Sequence, residues 1–409
     1  MYTLKDFGLY SANDVSERAE NFQIYINQQS MYKQKSYWTV SEGPISTRMK
    51  LEGGVKEVDA YIGNDYLGLS QCKETIAAGI DAMQKYGTGA CAAPIIGGYL
   101  DIHYELEKRI SQFVGKDDAI LFSSGFGAND GLLRSLLGKK DIALIDTYIH
   151  ASAQCGLLGT NVKHIGHNDM TYLEQVLKTV QNKYQTKLVI IDGVYSQDGD
   201  LAKLPEIIEL SHKYGAMVMV DDAHGIGVFG PAGRGTSEHF NCLGEPDIIT
   251  GTFSKSFGCV GGFVAASEKL IQHFRYYVDS CIFSASPTPQ VTASVLKALD
   301  IVEQYPEIRQ NLWSNVNYLR RRLLQEGFDI GSTESPIFPI MVRDNEKVYH
   351  IADMLAERSI FAFGIVFPAV RLKEARMRIS IQTTHNHKQL EHLVASLIEI
   401  DKVIKIRNS

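Results

Sequence analysis

Lys255 stands in Gly251-Thr252-Phe253-Ser254-Lys255-Ser256-Phe257-Gly258, among small polar residues at the close of an apolar run. A lysine shielded from water loses proton affinity and can act as an amine nucleophile toward a carbonyl. Asp221 closes another apolar run, Met217-Val218-Met219-Val220, and a carboxylate in such a place needs a partner. His224 follows three residues later, and His150 stands just after the run that ends at Asp146. Ser124-Gly125-Phe126-Gly127 reads as a strand-to-helix turn, where glycines let backbone N–H groups approach a phosphate. No Gly-Lys-Ser/Thr follows it, which excludes a Walker A loop. Taken singly, each feature has a commonplace reading: a solvated lysine, a structural carboxylate, a loop histidine, a glycine turn.

The set is more specific than its members. A protonated pyridine nitrogen suits Asp221, a flat imidazole at His150 can lie on an aromatic ring, and His224 can reach a phenolic oxygen. With a phosphate at Gly125 and an aldehyde at Lys255, the constellation describes pyridoxal 5'-phosphate (PLP), whose ring is an electron sink.

Those residues need elements to hold them at one place. Short apolar runs at Ala119–Phe122, Ile142–Asp146, Leu188–Val194, Ala216–Ala223, Asp247–Phe253 and Gly262–Ala266 alternate with amphipathic stretches such as Ile102–Val114 and Leu204–Tyr214. Several runs lack in/out alternation, as strands buried on both faces do. The pattern predicts an α/β domain around a mostly parallel sheet flanked by helices. In such sheets, sites form beyond the carboxyl ends of the strands. Ser123–Gly127, Asp146–His150, Tyr195-Ser196, Asp221–His224 and Thr252–Lys255 each fall at such an end. The expected organisation is an N-terminal segment (1–60), a large cofactor-binding domain (61–295) and a smaller α+β C-terminal domain (296–409). The last begins in a long helical stretch, Ala298–Gln325.

The chain has 409 residues, 44% hydrophobic and 22% charged, with a formal net charge of −6. A mildly acidic balance offers no basic face for nucleic acid. No apolar run is long enough to cross a bilayer, and Met1–Asp6 has no basic region followed by an apolar one, so a cytoplasmic protein is expected. Cys72, Cys91, Cys155, Cys242, Cys259 and Cys281 are scattered without a CxxC pair. Reduced thiols are expected, with neither a metal site nor a disulfide framework.

The sequence resembles the α-oxoamine synthases, fold-type I PLP enzymes that include 8-amino-7-oxononanoate synthase, 2-amino-3-ketobutyrate CoA ligase, 5-aminolevulinate synthase and serine palmitoyltransferase. The likeness runs from about Asn64 to His385. It is carried by Asn64–Leu69, Tyr86–Gly89, Ser123–Phe126, His150–Ser152, Gly193–Ser196, Asp221–His224, Val228–Gly230, Gly233–Gly235, Thr252–Lys255, Phe283–Ser286 and Met377–Ser380. The resemblance implies a Schiff base at Lys255 and a ring-nitrogen contact from Asp221. His224 and Ser196 would lie near the ring oxygen, with His150 stacked on the ring. Ser124, Gly125, Phe126, Thr252 and Ser254 would hold or border the phosphate. Ser284 would reach the phosphate of a partner subunit, implying a homodimer with a shared active site. Arg378, assisted by Asn64, would clamp the amino-acid carboxylate. The implied reaction joins an amino acid to an acyl group from acyl-CoA or acyl-carrier protein, releasing CO₂ and an α-amino ketone.

The chain departs from the family in places. Asp222 and Asp192 stand where glutamate is usual. Ala90-Cys91-Ala92-Ala93-Pro94-Ile95-Ile96 replaces a polar, glycine-rich stretch that borders the acyl-donor entrance in relatives. Gly251–Gly258 with Val260-Gly261-Gly262-Phe263 looks nearest to the bacterial serine palmitoyltransferase branch, which favours serine or an analogue such as cysteate and a long acyl chain. The alternative is glycine or alanine with a shorter acyl-CoA. An aminotransferase would share the lysine and the aspartate, but usually carries tyrosine where this chain has His224. A partner subunit without chemistry would typically lack the lysine.

Overall fold

The computed structural model describes residues 14–28, 38–53 and 57–407; Met1–Asp6 lies outside them. The chain forms two compact units. The larger comprises residues 65–196 and 200–310, and the other comprises 197–199, 311–409 and the described part of 1–64. Strands β1 (Arg48–Met49) and β2 (Val58–Ala60) belong to the second unit. Seven strands follow in the large unit: β3 (Asp118–Phe122), β4 (Ile142–Asp146), β5 (Asn161–Ile165), β6 (Lys187–Asp192), β7 (Met217–Asp221), β8 (Ile248–Thr252) and β9 (Gly262–Ala266).

These seven make one sheet in the order β3-β9-β8-β7-β6-β4-β5. The pairs β8/β7, β7/β6, β6/β4 and β4/β5 are parallel, and β9 runs antiparallel to both β3 and β8. Strands β3 to β8 therefore share one direction, and their carboxyl ends reach the same edge. The absence of alternation in the apolar runs is explained by burial on both faces. Ala143 and Ile145 enter a core with Leu132, Ile271 and Phe274. Ile142 and Leu144 of the same strand enter the opposite core with Leu173, Leu177 and Ile207. Successive side chains of a strand point to opposite faces, so both must be apolar when helices cover both.

β5 has no counterpart among the apolar runs. It is one of the two edge strands, and Val162, Lys163 and His164 are exposed, so its sequence is largely polar. The helical stretch expected over 298–325 is two helices, Pro289–Gln304 and Pro306–Gln325. Pro306 cannot donate a helical hydrogen bond and its ring obstructs the preceding turn, which ends the first helix. That first helix packs against the helix Lys73–Tyr86, tying residues 289–304 to the large unit.

In the second unit, β10 (Ile337–Met341), β12 (Phe363–Ile365) and β13 (Arg376–Ser380) form an antiparallel sheet in the order β10-β13-β12, while β11 (Ile360–Phe361) pairs with β2. The helices Asn345–Glu357 and His387–Ile404 pack together beside it. An antiparallel sheet with helices is the α+β pattern expected for this part of the chain.

Candidate active site

The shared edge of the large sheet carries a cavity of about 270 Å³. Ser124, Gly125, Phe126, His150, Asp221, His224, Thr252, Ser254 and Lys255 all line it. Asn129, Ser152, Asp192, Val194, Ala223 and Thr250 complete most of the wall.

Lys255 is placed by a closed turn between β8 and β9. The Phe253 N–H donates to the Gly261 carbonyl, the Cys259 N–H to that of Phe253, and the Gly258 N–H to that of Lys255. Phe253 and Phe257 are buried on either side of the lysine, their rings 5.9 Å apart in an edge-to-face arrangement. Gly258 adopts φ +63°, and a Cβ there would lie 2.2 Å from the Ser70 nitrogen, so the turn requires glycine. Thr252 donates its hydroxyl to the Gly261 carbonyl at 2.9 Å and accepts the Ser254 N–H at 3.2 Å.

Opposite this turn, the helix Gly125–Leu136 begins at the cavity. Ser124 caps it, accepting the Gly127 N–H at 2.9 Å. Gly125 and Phe126 occupy the first turn, whose N–H groups have no acceptor within the helix. A Cβ on Gly125 would stand 2.9 Å from the Thr252 Cβ, so glycine keeps this approach open. Uncommitted N–H groups at a helix start, with hydroxyls facing them, suit a phosphate.

Asp221 is buried at the end of β7. Its carboxylate accepts Asn129 Nδ2 at 2.6 Å and the Ala223 N–H at 3.1 Å. Asp192, its cross-strand neighbour on β6, accepts the His150 N–H at 3.3 Å. Burial, reinforced by the charge of Asp221, pushes the Asp192 carboxyl well above the usual carboxylate range. His150 caps the short helix Ala151–Gly156 through Nδ1, with the Phe126 ring 6.5 Å away edge-on. Its place in the cavity wall lowers its proton affinity; Asp221 opposes that and Lys255 adds to it. His224 is buried, with Nδ1 2.7 Å from the Tyr66 hydroxyl. The residues thus fit PLP: a carboxylate for the pyridine nitrogen, a helix start for the phosphate, and a lysine and a flat imidazole in one cavity.

Four residues expected at the site, Ser196, Ser284, Arg378 and Asn64, are not among the residues that line this cavity. Ser196 is half-buried in the loop after β6, two residues past the lining residue Val194. Ser284 is half-buried just beyond the short helix Asp279–Ile282. Arg378 lies on β13 in the second unit with Asn64, whose Oδ1 accepts from Arg378 Nη2 and Ser380 Oγ, both at 3.2 Å.

The aminotransferase class I and II family model matches residues 63–397. This chain belongs to that family. It is 40% identical over 402 residues to a serine palmitoyltransferase of Sphingobacterium spiritivorum, covering 97% of this chain and 99% of the relative. It is 38% identical over 370 residues to an 8-amino-7-oxononanoate synthase of Thermoanaerobacter pseudethanolicus, covering 90% and 93%. A solved structure of SPT with a PLP internal aldimine matches with a TM-score of 0.89 at 31% identity, over 98% of this chain and 100% of that one. The serine palmitoyltransferase of Sphingomonas wittichii gives 0.89 at 28% identity, over 98% and 99%. Within the aminotransferase class I and II family, the chain is an α-oxoamine synthase: a PLP-dependent acyltransferase of fold type I.

Proposed function

We propose that this α-oxoamine synthase condenses serine, or a close analogue such as cysteate, with a long-chain acyl thioester. A C–C bond forms between the amino acid's Cα and the acyl carbon. The C–S bond breaks and the thiol leaves; the Cα–carboxylate bond breaks and CO₂ leaves, giving an α-amino ketone. The observation that carries the reaction class is the convergence of buried Asp221, Lys255 and the glycine-opened start of the helix Gly125–Leu136 on one cavity. Two features favour the substrates. One is the 40% identity to a serine palmitoyltransferase. The other is the apolar segment before Gly97, where Ile95 and Ile96 are exposed.

When bound, PLP supplies an electron sink for the charge that develops at Cα. Lys255 Nζ would hold the cofactor's aldehyde carbon and move a proton at Cα. Asp221 would serve the pyridine nitrogen, and His224 and Ser196 the ring oxygen. The N–H groups of Gly125 and Phe126 would hold the phosphate with Ser124, Thr252 and Ser254. Arg378, steadied by Asn64, binds the amino-acid carboxylate through its planar fork. His150 would border the cofactor ring and polarise the thioester carbonyl. The enzyme acts in the cytoplasm as a homodimer, with the partner subunit's Ser284 reaching the phosphate. Among the described residues, no helix is long and apolar enough to cross a membrane.

The test is a substrate panel on the PLP-loaded protein. Glycine, alanine, serine and cysteate are titrated by visible absorbance, and acyl-CoAs of graded length are then added, with CO₂ and amino ketone measured. Serine or cysteate with a long chain is expected. Turnover only with glycine or alanine and a short chain would overturn the substrate reading. Keto-acid-dependent amino transfer without CO₂ would overturn the reaction.

A further inference from the structure

Two buried side chains, Asn129 and Ser152, join Asp221 to His150, and Thr250 holds the other end of Asn129. Asn129, Ser152 and Thr250 are almost wholly inaccessible. Asn129 Nδ2 donates to Asp221 Oδ2 at 2.6 Å and to Ser152 Oγ at 2.9 Å. Its Oδ1 accepts the Thr250 hydroxyl at 2.8 Å. Ser152 Oγ lies 2.7 Å from His150 Nδ1, and the Ser152 N–H points at the same nitrogen from 3.3 Å.

The directions of these bonds are not free. An ionised carboxylate only accepts, so the face of Asn129 toward Asp221 must be its NH₂ group. The reverse orientation would set two acceptor oxygens against each other. The same NH₂ group donates to Ser152, whose Oγ therefore accepts from that side. The Ser152 hydroxyl has one proton, and the oxygen of Asn129 is already taken by Thr250. That proton goes to His150 Nδ1. The Ser152 backbone N–H, a fixed donor, requires the same thing: Nδ1 must be the acceptor. A neutral imidazole that accepts at Nδ1 carries its proton on Nε2.

We propose that Asn129 and Ser152 are positioning residues that pass the polarity of the Asp221 carboxylate to His150 and hold its imidazole as the Nε2–H tautomer, a hydrogen-bond donor for the acyl carbonyl. The acyl carbonyl as target rests on the function proposed above; the tautomer does not. The network makes one residue's charge set another's donor edge through two uncharged side chains. It also explains why a serine follows His150 at two residues' distance: from there its backbone and its side chain reach the same ring nitrogen.

The test uses the full chain loaded with PLP and labelled with ¹⁵N in the histidine rings. His150→Gln assigns the signals. In the unmodified protein, His150 Nδ1 should resonate as an unprotonated ring nitrogen and Nε2 as a protonated one. In Asn129→Ala and in Ser152→Ala, the two signals should move toward each other as the tautomers mix. kcat should fall about tenfold, the loss expected from one hydrogen bond, with KM for the amino acid changing less than twofold. A proton on Nδ1 in the unmodified protein would overturn the proposal, whether or not either variant folds. So would unchanged ring signals in both variants. If the signals behave as expected while no acyl thioester is consumed, the tautomer assignment stands and the functional reading fails.

Discussion

Raising the pH through about 9 should loosen the loop that carries His150, because a second histidine beneath it then loses its proton. His167 lies between two carboxylates: Nδ1 is 3.0 Å from Asp146 Oδ1, and Nε2 is 2.8 Å from Asp200 Oδ2. Asp146 ends β4 and also accepts the Tyr148 and Asn168 N–H groups, so it fixes the start of the segment leading to His150. The Tyr148 ring stacks on the imidazole at 4.4 Å, and Tyr195 meets it edge-on at 4.4 Å. Burial disfavours the charged ring, but the two carboxylates outweigh it and raise its pKa from 6.5 to about 9. In a dry site that rise would correspond to roughly 3 kcal/mol. The ring is partly exposed, and solvent screening reduces the figure to about 1–2 kcal/mol. The folded-state value lies above the unfolded one, so this stability is complete below about pH 6.5 and lost as the pH rises through about 9. The assay compares denaturant midpoints of the wild type and His167→Gln at pH 7 and pH 10. The wild type should lose about 1–2 kcal/mol more than the variant over that interval. Equal losses in the two proteins would refute the clamp.

Two further outcomes are expected. Gly125→Ala places a Cβ 2.9 Å from the Thr252 Cβ; at about 1–3 kcal/mol for overpacking, the Kd for PLP should rise at least about fivefold in a titration of the apoprotein, and a value within twofold of wild type would contradict the phosphate cradle. His385 is buried against Tyr61, and burial lowers its pKa to about 4. Its contribution is complete above pH 6.5 and lost as the pH falls toward 4, by roughly 3 kcal/mol. Acid destabilisation over that range should be smaller in His385→Gln, as read from melting temperatures.

The chemistry-bearing side chains were legible because they sit where apolar runs stop. A strand buried on both faces has no reason to end in aspartate or lysine unless something beyond its end uses them, as Asp221 and Lys255 show. β5 was not legible, because its central residues Val162, Lys163 and His164 face solvent and leave no apolar run to mark it. Asn129, Ser152 and Thr250 were not singled out either. Each is an ordinary small polar residue inside an element, and only the packing of the helix Gly125–Leu136 on β8 and on the helix Ala151–Gly156 brings them together. Ser152 lay within a stretch quoted for the family resemblance, and its place two residues after His150 was the one available signal. Asp222 is not among the residues that line the cavity. Its carboxylate accepts the Thr236 N–H at 2.8 Å and the Thr236 hydroxyl at 2.9 Å. Gly193, Gly225 and Gly235 crowd it so closely that a Cβ on any of them would lie within 2.4 Å of a carboxylate oxygen.

In the proposed reaction Lys255 holds the cofactor covalently. Borohydride reduction of the PLP-loaded protein, followed by peptide mass mapping, tests it directly. The reduced pyridoxyl phosphate should appear on the peptide containing Lys255 and be absent from Lys255→Ala treated alike. Its appearance on a different lysine, or on none, would contradict the account.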